Sequence, residues 1–304
     1  MKAIELNGLT KRFRERTAVD GLSFSIEQGE LFSLLGQNGA GKTTTIRMLS
    51  GLLRPTEGDA LLMGKSILTD PEAVRCIINV SPQETAVAPK LTVRENLELI
   101  ARLYGKSAAE AKKSAEAMLS RFSLADRARE KAKALSGGLQ RRLSIAMALI
   151  SEPQVLFLDE PTSGLDPESA QNVNQMIQNL ARKEGVTIFL CTHQLRYAQE
   201  ICTRYGLIEQ GSLLASGTME ELRAQVFTTK TLCVCASAVP DGLNFIKRGA
   251  NEFEVNIRDK KEIPGLVRKI VEAGEDIYSV NLMEPSLEDI YFALTTGRKE
   301  DRGI

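Results

Sequence analysis

An excess of either charge, abundant cysteine and long apolar runs are all missing from this 304-residue sequence. Lysine and arginine together number 39, as do aspartate and glutamate, so no overall excess draws the chain to nucleic acid or to an anionic membrane surface. Any such partner has to be met locally. The five cysteines, Cys76, Cys191, Cys202, Cys233 and Cys235, show neither metal-ligand spacing nor a disulfide framework, which argues against a cysteine-held metal and fits a reducing cytosol. No window approaches the roughly 18 to 20 consecutive apolar residues of a membrane span, and the opening MKAIELNGLTKRF holds no apolar stretch of the signal-peptide kind. Neither a span nor a leader is expected. Histidine occurs once, at His193. What the chain does have is length and apolar content for a sizeable core, in one large domain or two unequal ones at about 100 to 200 residues per domain.

Short apolar runs rich in β-branched residues alternate with helical patterns as far as about residue 220, the pattern of an α/β domain on a mostly parallel sheet. LFSLL at 31–35, CIINV at 76–80, VLFL at 155–158 and VTIFLC at 186–191 are apolar on both faces and read as central strands. AIELN, LSFSIE, GDALLMG and YGLIEQGSLLASG alternate more and read as antiparallel edges or a small attached sheet, with a hairpin turn at Glu209, Gln210, Gly211 and Ser212. Residues 91–133 hold a helical pattern instead, with Leu97, Ile100, Leu103, Met118, Leu119 and Phe122 in helical spacing and no convincing strand. This predicts a helical insert, bounded at about 88–150. Between 102 and 133 it carries nine basic residues against four acidic ones, which by itself reads as a solvated helix face. Over 226–304 the segments TKTLCVCASAV, EFEVNI and IYSVNLM, with amphipathic helices at 263–273 and 286–294, predict a second, small α+β domain. Cys233 and Cys235 share one strand face there, where packing is expected rather than ligation.

The strand LFSLL runs into GQNGAGKTT and then into the helical TTIRMLSGLL, which sets Gly36, Gly41, Lys42 and Thr43 in the P-loop pattern and in the strand, loop, helix context it requires. Glycines let backbone N–H groups turn onto phosphate oxygens, the helix N-terminus adds positive partial charge, Lys42 adds a point charge, and the Thr43 hydroxyl suits magnesium. The candidate phosphate cradle is Gly36, Asn38, Gly39, Ala40, Gly41, Lys42, Thr43 and Thr44. VLFLDEP sets Asp159 and Glu160 just past a buried strand, at the carboxyl edge where ligands of open α/β sheets gather. An Asp-Glu pair alone is an ordinary polar strand end. Beside a P-loop, Asp159 is placed to hold Mg²⁺ and Glu160 to take a proton from attacking water. His193 follows TIFLCT on the same edge and reads as a partner of the γ-phosphate rather than a structural histidine. Gln83, in NVSPQE, takes a further position on that edge, where its amide can touch a metal-bound water and the loop behind it. In LSGGLQRRLSIAMALI, Ser136, Gly137 and Gly138 open a strong helix and form a second anion-binding N-terminus. One triphosphate is already wrapped by the loop around Lys42, so this second end is read as serving a nucleotide on another subunit of an isologous dimer.

In this order and at these separations, GQNGAGKTT, Gln83, LSGGLQRR, VLFLDEP, SGLD and Thr192-His193 resemble the ATP-binding cassette of ABC transporters over residues 1–222. The resemblance implies a P-loop NTPase fold with a mixed sheet core and a helical subdomain, ATP and Mg²⁺ as cofactors, and ATP hydrolysis with Lys42, Gln83, Glu160 and His193 in catalytic roles. Thr43, Gln83 and Asp159 would surround the metal. Two cassettes, expected as a homodimer, would close head to tail over two ATP molecules, each between one subunit's P-loop and the other's Ser136 and Gly138. Asp166 of SGLD would lie at their interface. Phe13 stands where the family usually has an aromatic residue, often tyrosine, stacked on adenine, and phenylalanine keeps the π-face. Leu139 stands where many cassettes have glutamine. The insert resembles the subdomain that, with the loop around Gln83, docks cytoplasmic helices of a membrane permease, which implies a cytoplasmic protein peripheral to the inner face of the cell membrane. EPSLEDIYFALT at 284–295 resembles the C-terminal extension of single-cassette bacterial ATPases that serve separate permeases in exporting drugs, antibiotics, sodium or lipid-like compounds. The alternative, a soluble ABC ATPase acting on ribosomes or nucleic acid, usually joins two cassettes in one chain or adds coiled coils or zinc-binding cysteine pairs, and none of these is present. A kinase or GTPase sharing only the P-loop would leave LSGGLQ and His193 without purpose.

Overall fold

The computed structural model describes residues 1–301, which divide into two compact units, Met1–Thr218 and a second beginning at Met219. The first unit runs β1 (Lys2–Phe13), β2 (Arg16–Glu27), β3 (Leu31–Leu35), α1 (Lys42–Leu49), β4 (Glu57–Leu62), β5 (Lys65–Ser66), α2 (Pro71–Arg75) and β6 (Ile78–Ser81). It continues through α3 (Val93–Leu103), α4 (Ala108–Arg121), α5 (Gly137–Ala148), β7 (Val155–Asp159), α6 (Pro167–Glu184), β8 (Thr187–Thr192), α7 (Leu195–Ile201), β9 (Arg204–Glu209) and β10 (Ser212–Gly217). The second unit holds α8 (Met219–Val226), β11 (Lys230–Ala236), β12 (Ile246–Lys247), β13 (Glu252–Ile257), α9 (Ile263–Glu272), β14 (Ile277–Met283) and α10 (Leu287–Asp301).

Two sheets make the frame of the first unit. One is four-stranded and antiparallel, in the order β2-β1-β4-β5. The other is six-stranded and mixed, in the order β10-β9-β3-β8-β7-β6, with β10 alone antiparallel to its neighbour. Every residue of β3, β7 and β8 is buried, as strands covered on both faces must be. Phe32, Phe189 and Phe157 lie in register across these three strands with ring centroids 5.2 and 5.6 Å apart, and Phe24 of β2 stacks on Phe32 at 5.1 Å, tying one sheet to the other. Each of the fully buried rings, Phe32, Phe157 and Phe189, contributes about 1.5 to 3 kcal/mol by its burial. Two expectations shift. YGLIE, read as an antiparallel edge, is β9 and pairs parallel with β3, because only the second half of the hairpin reverses direction. The strand expected from residue 76 starts at Ile78, because α2 extends to Arg75 and Cys76 caps it.

The segment between β6 and β7 is helical. Capping boxes open α3 (Thr92 with Glu95) and α4 (Ser107 with Glu110), and Ser136 caps α5. Leu97, Met118, Leu119 and Phe122 are buried and Ile100 is half-buried, whereas Leu103 at the end of α3 faces out. The basic surplus is partly paired, Lys106 with Glu152, Arg121 with Glu184 and Arg127 with Glu130.

The second unit is an antiparallel sheet in the order β12-β13-β11-β14. One face packs Leu232, Val234, Ala236, Val255 and Ile257 against Ile270 of α9. Cys233 and Cys235 share a face, as spacing requires, but it is the face away from that cluster, where Cys233 Sγ lies 3.8 Å from Glu254. The interval 222–226 expected at the domain junction falls within or at the end of α8, which begins the second unit. Among the described residues no helix is long and apolar enough to cross a membrane.

Candidate nucleotide-binding site

The turn from β3 into α1 has no room for a side chain at Gly36 and Gly41. A Cβ on Gly36 would stand 2.2 Å from the Ile208 carbonyl oxygen, and one on Gly41, at φ 110°, 2.5 Å from that of Ala18. Gly41 is also the N-cap of α1 and offers no side-chain oxygen, so the first turn's N–H groups stay available to an anion. Lys42 follows, buried, its ammonium donating to the carbonyls of Gly36 at 2.7 Å and Gln37 at 3.1 Å. A cleft of about 460 Å³ opens over this turn. Phe13, Asn38, Gly39, Gly41, Lys42, Thr43, Thr44, Gln83 and Glu160 line it, joined by Arg16 and Ala18, while Gly36 and Ala40 are buried behind. Phe13 is 46% exposed at this wall, with the Lys11 ammonium 5.3 Å from its ring centre.

The carboxyl ends of β7 and β8 supply the acids. Thr43 Oγ1 donates to Asp159 Oδ2 at 2.8 Å, while the buried Oδ1 has no hydrogen-bond partner among the described residues. Burial pushes the Asp159 carboxyl above its ordinary range, with the Thr43 bond acting the other way. A buried carboxylate oxygen left open beside a hydroxyl is a donor set for a small hard cation, so the residues present fit Mg²⁺. No group of three or more histidine, cysteine, aspartate or glutamate side chains that could hold a metal gathers among the described residues, and Mg²⁺ in nucleotide sites needs none, since phosphate and water complete its shell.

Glu160 sits at the next position with φ 47°, in the left-handed region. Its Oε1 lies 2.9 Å from His193 Nδ1 and 3.5 Å from Lys42 Nζ, and its Oε2 accepts from Thr192 Oγ1 at 3.0 Å. An acid held on both oxygens beside a phosphate cradle can receive a proton in one defined direction. His193, expected to face a phosphate, meets Glu160 through Nδ1.

Ser136, Gly137, Gly138 and Asp166 do not line this cleft. They gather elsewhere on the unit. A Cβ on Gly138 would stand 2.6 Å from Ser169 Oγ and one on Gly137 3.6 Å from Leu165, while Asp166 caps α6 by accepting from Ser169 N at 2.9 Å. The Ser169 side chain first, and then its backbone N–H, hold the Asp166 carboxyl below its ordinary range. The Ser136 hydroxyl accepts from Leu139 N at 3.4 Å.

Three contributors carry no role in the sequence reading. Thr192 grips Glu160, Arg16 donates to the Gly39 carbonyl at 3.1 Å, and Arg141 donates to the carbonyls of Pro82, at 2.6 Å, and Gln83. The only sequence signals were a hydroxyl immediately before the single histidine and basic residues beside two motifs.

Residues 19–163 match the family model described as ABC transporter. The chain is 36% identical over 303 residues to the daunorubicin resistance ATP-binding protein DrrA3 of Streptomyces coeruleorubidus, covering 96% of each. Over 305 residues it is 32% identical to the linearmycin resistance ATP-binding protein LnrL of Bacillus subtilis (strain 168), covering 96% of this chain and 98% of that one. A solved dimeric structure of a post-hydrolysis state of the ATP-binding cassette MJ0796, bound to ADP and Pi, matches 71% of this chain and 98% of its own with a TM-score of 0.64 at 28% identity. With identity of this level running nearly end to end, the chain belongs to the ABC transporter ATP-binding family.

Proposed function

We propose that the chain hydrolyses ATP as the motor subunit of an ABC exporter whose membrane-spanning part is a separate polypeptide, working as a pair of identical cassettes on the inner face of the cell membrane. The observation that carries this reading is the convergence on Glu160, whose carboxylate is held by Thr192 and His193 3.5 Å from the Lys42 ammonium. The N–H groups of α1 and Lys42 bind the phosphates, and Phe13 stacks on adenine. Water attacks the γ-phosphorus as the bond to the β,γ-bridging oxygen breaks, and the water's proton passes to Glu160. With Nδ1 on Glu160, His193 has Nε2 to offer the γ-phosphate. Asp159 and Thr43, with Gln83 close by, would hold Mg²⁺, which when bound neutralises charge on the terminal phosphates.

Ser136, Gly137 and Gly138 lie outside the cleft, which supports a second copy's α5 completing each site, with Asp166 at the shared surface. ATP then favours the closed pair only as far as it touches both copies there. Relatives named for daunorubicin and linearmycin resistance support export as the direction and a drug-like or antibiotic compound as the cargo.

Glu160→Gln tests the reading. ATP affinity should stay within a few-fold, turnover should fall at least roughly 100-fold, the scale of a lost general base, and sedimentation should reveal an ATP-dependent dimer. Undiminished hydrolysis would remove Glu160 as the base.

A further inference from the structure

Arg141 is 5% exposed, unusual for a residue whose charge water would solvate, and it lies at the junction of three parts of the site. Its Nη1 donates to the Pro82 carbonyl at 2.6 Å and its Nη2 to the Gln83 carbonyl, so one planar fork grips two successive peptides of the loop that carries Gln83. That loop is already stiff at Pro82, whose ring fixes φ. One turn further along α5, Ser144 Oγ lies 3.1 Å from Ser81 Oγ, a second contact from the same helix face to the same backbone segment. Asp159, at the end of β7, pulls the guanidinium electrostatically against the effect of its burial. At the N-terminal end of α5, three to five residues before Arg141 and within a rise of roughly 7.5 Å, stand Ser136 and the two glycines.

Anchoring α5 needs no arginine. Leu143 and Ile145 of the same helix are fully buried, and apolar contacts of that kind hold a helix without the cost of desolvating a charge. What the guanidinium adds is direction, because neither peptide flanking Gln83 can turn without carrying α5 or breaking its charge-assisted hydrogen bond to Arg141. We propose that Arg141 is a positioning residue that couples Gln83 to the N-terminus of α5, so that the placement of Gln83 on a bound nucleotide sets how Ser136, Gly137 and Gly138 are presented to the second copy. By linkage, the second copy's engagement of α5 acts back on Gln83 to the same extent. This rests on the proposed two-copy ATPase.

The test uses the full chain carrying Glu160→Gln, alone and with Arg141→Met or Arg141→Lys. ATP affinity is titrated at protein concentrations low enough to keep the chain monomeric, and ATP-driven dimerisation is followed by sedimentation. Arg141→Met should keep monomer ATP affinity within about twofold and weaken dimerisation by about tenfold, an ordinary coupling, and Arg141→Lys should recover part of that loss. Dimerisation at parental strength in Arg141→Met overturns the inference, as does an equal loss of monomer ATP affinity, which marks general damage. Should Arg141→Met fail to fold, amide exchange in the Glu160→Gln monomer decides. ATP should change protection at both 81–84 and 136–140, and a change confined to 81–84 overturns the coupling. If Glu160→Gln alone fails to dimerise with ATP, it is the two-copy reading that falls.

Discussion

A carboxyl whose native pKa lies above its unfolded value stabilises the fold only while protonated. That contribution is present below the ordinary carboxylate range and is lost as pH rises through the raised native value. Asp159 is such a group, pushed up by burial, with Thr43 as its one hydrogen-bond donor among the described residues. In the nucleotide-free protein Asp159→Asn should therefore raise the thermal midpoint at pH 7, and the gap to the parent should close as pH falls toward the ordinary range. The same variant should lose the extra stabilisation that Mg²⁺ adds in the presence of ATP. Melts across pH, with and without Mg²⁺, check both, and a parent more stable than the variant at pH 7 contradicts the first. Glu160 next to it holds a left-handed φ that costs a non-glycine residue about 1 to 3 kcal/mol. Local stability is given up at the proposed base, as functional sites commonly do. Lys42, Thr43, Asp159, Glu160 and His193 were legible because each stands in a short string whose neighbours explain it. Thr192 and Arg141 were not, because their roles are relations across 32 residues to Glu160 and 59 to Pro82, which no local pattern encodes.

At the scale of elements, two-sided burial made β3, β7 and β8 readable from composition alone, since only a strand covered on both faces tolerates LFSLL or TIFLC. The direction of β9 was not readable, because alternation looks the same in a parallel and an antiparallel strand and the partner across the sheet decides. The helix at the phosphate loop makes a sharper demand. Gly41 combines φ 110° with a Cβ position 2.5 Å from a backbone carbonyl, whereas Gly51, at φ 72°, has open space around it. Gly41→Ala should cost at least about 1 to 3 kcal/mol, the range for a strained backbone, and weaken ATP binding as the turn opens. Gly51→Ala should cost about 1 kcal/mol and leave ATP binding intact. Urea melts and nucleotide titrations of the two variants decide, and equal losses of affinity would show that the geometry at Gly41 is not what the phosphate needs.

For the whole molecule, each unit has a hydrophobic cluster of its own, and the cassette relative of known structure accounts for 71% of the chain. The exporter reading proposed above calls for a separate membrane-spanning polypeptide. Affinity purification from detergent-solubilised membranes should recover a polytopic membrane protein with the chain. Ribosomes or DNA recovered in its place would sink the exporter reading. Finally, the 304 residues include no tryptophan, and Phe13 stands half-exposed on the wall of the nucleotide cleft. The protein is therefore optically silent in the indole band, and Phe13→Trp would install a single emitter against the base. Its fluorescence should change saturably with ATP and far less with inorganic tripolyphosphate, which separates occupancy by adenine from occupancy by phosphate. An equal response to both would move the base away from residue 13.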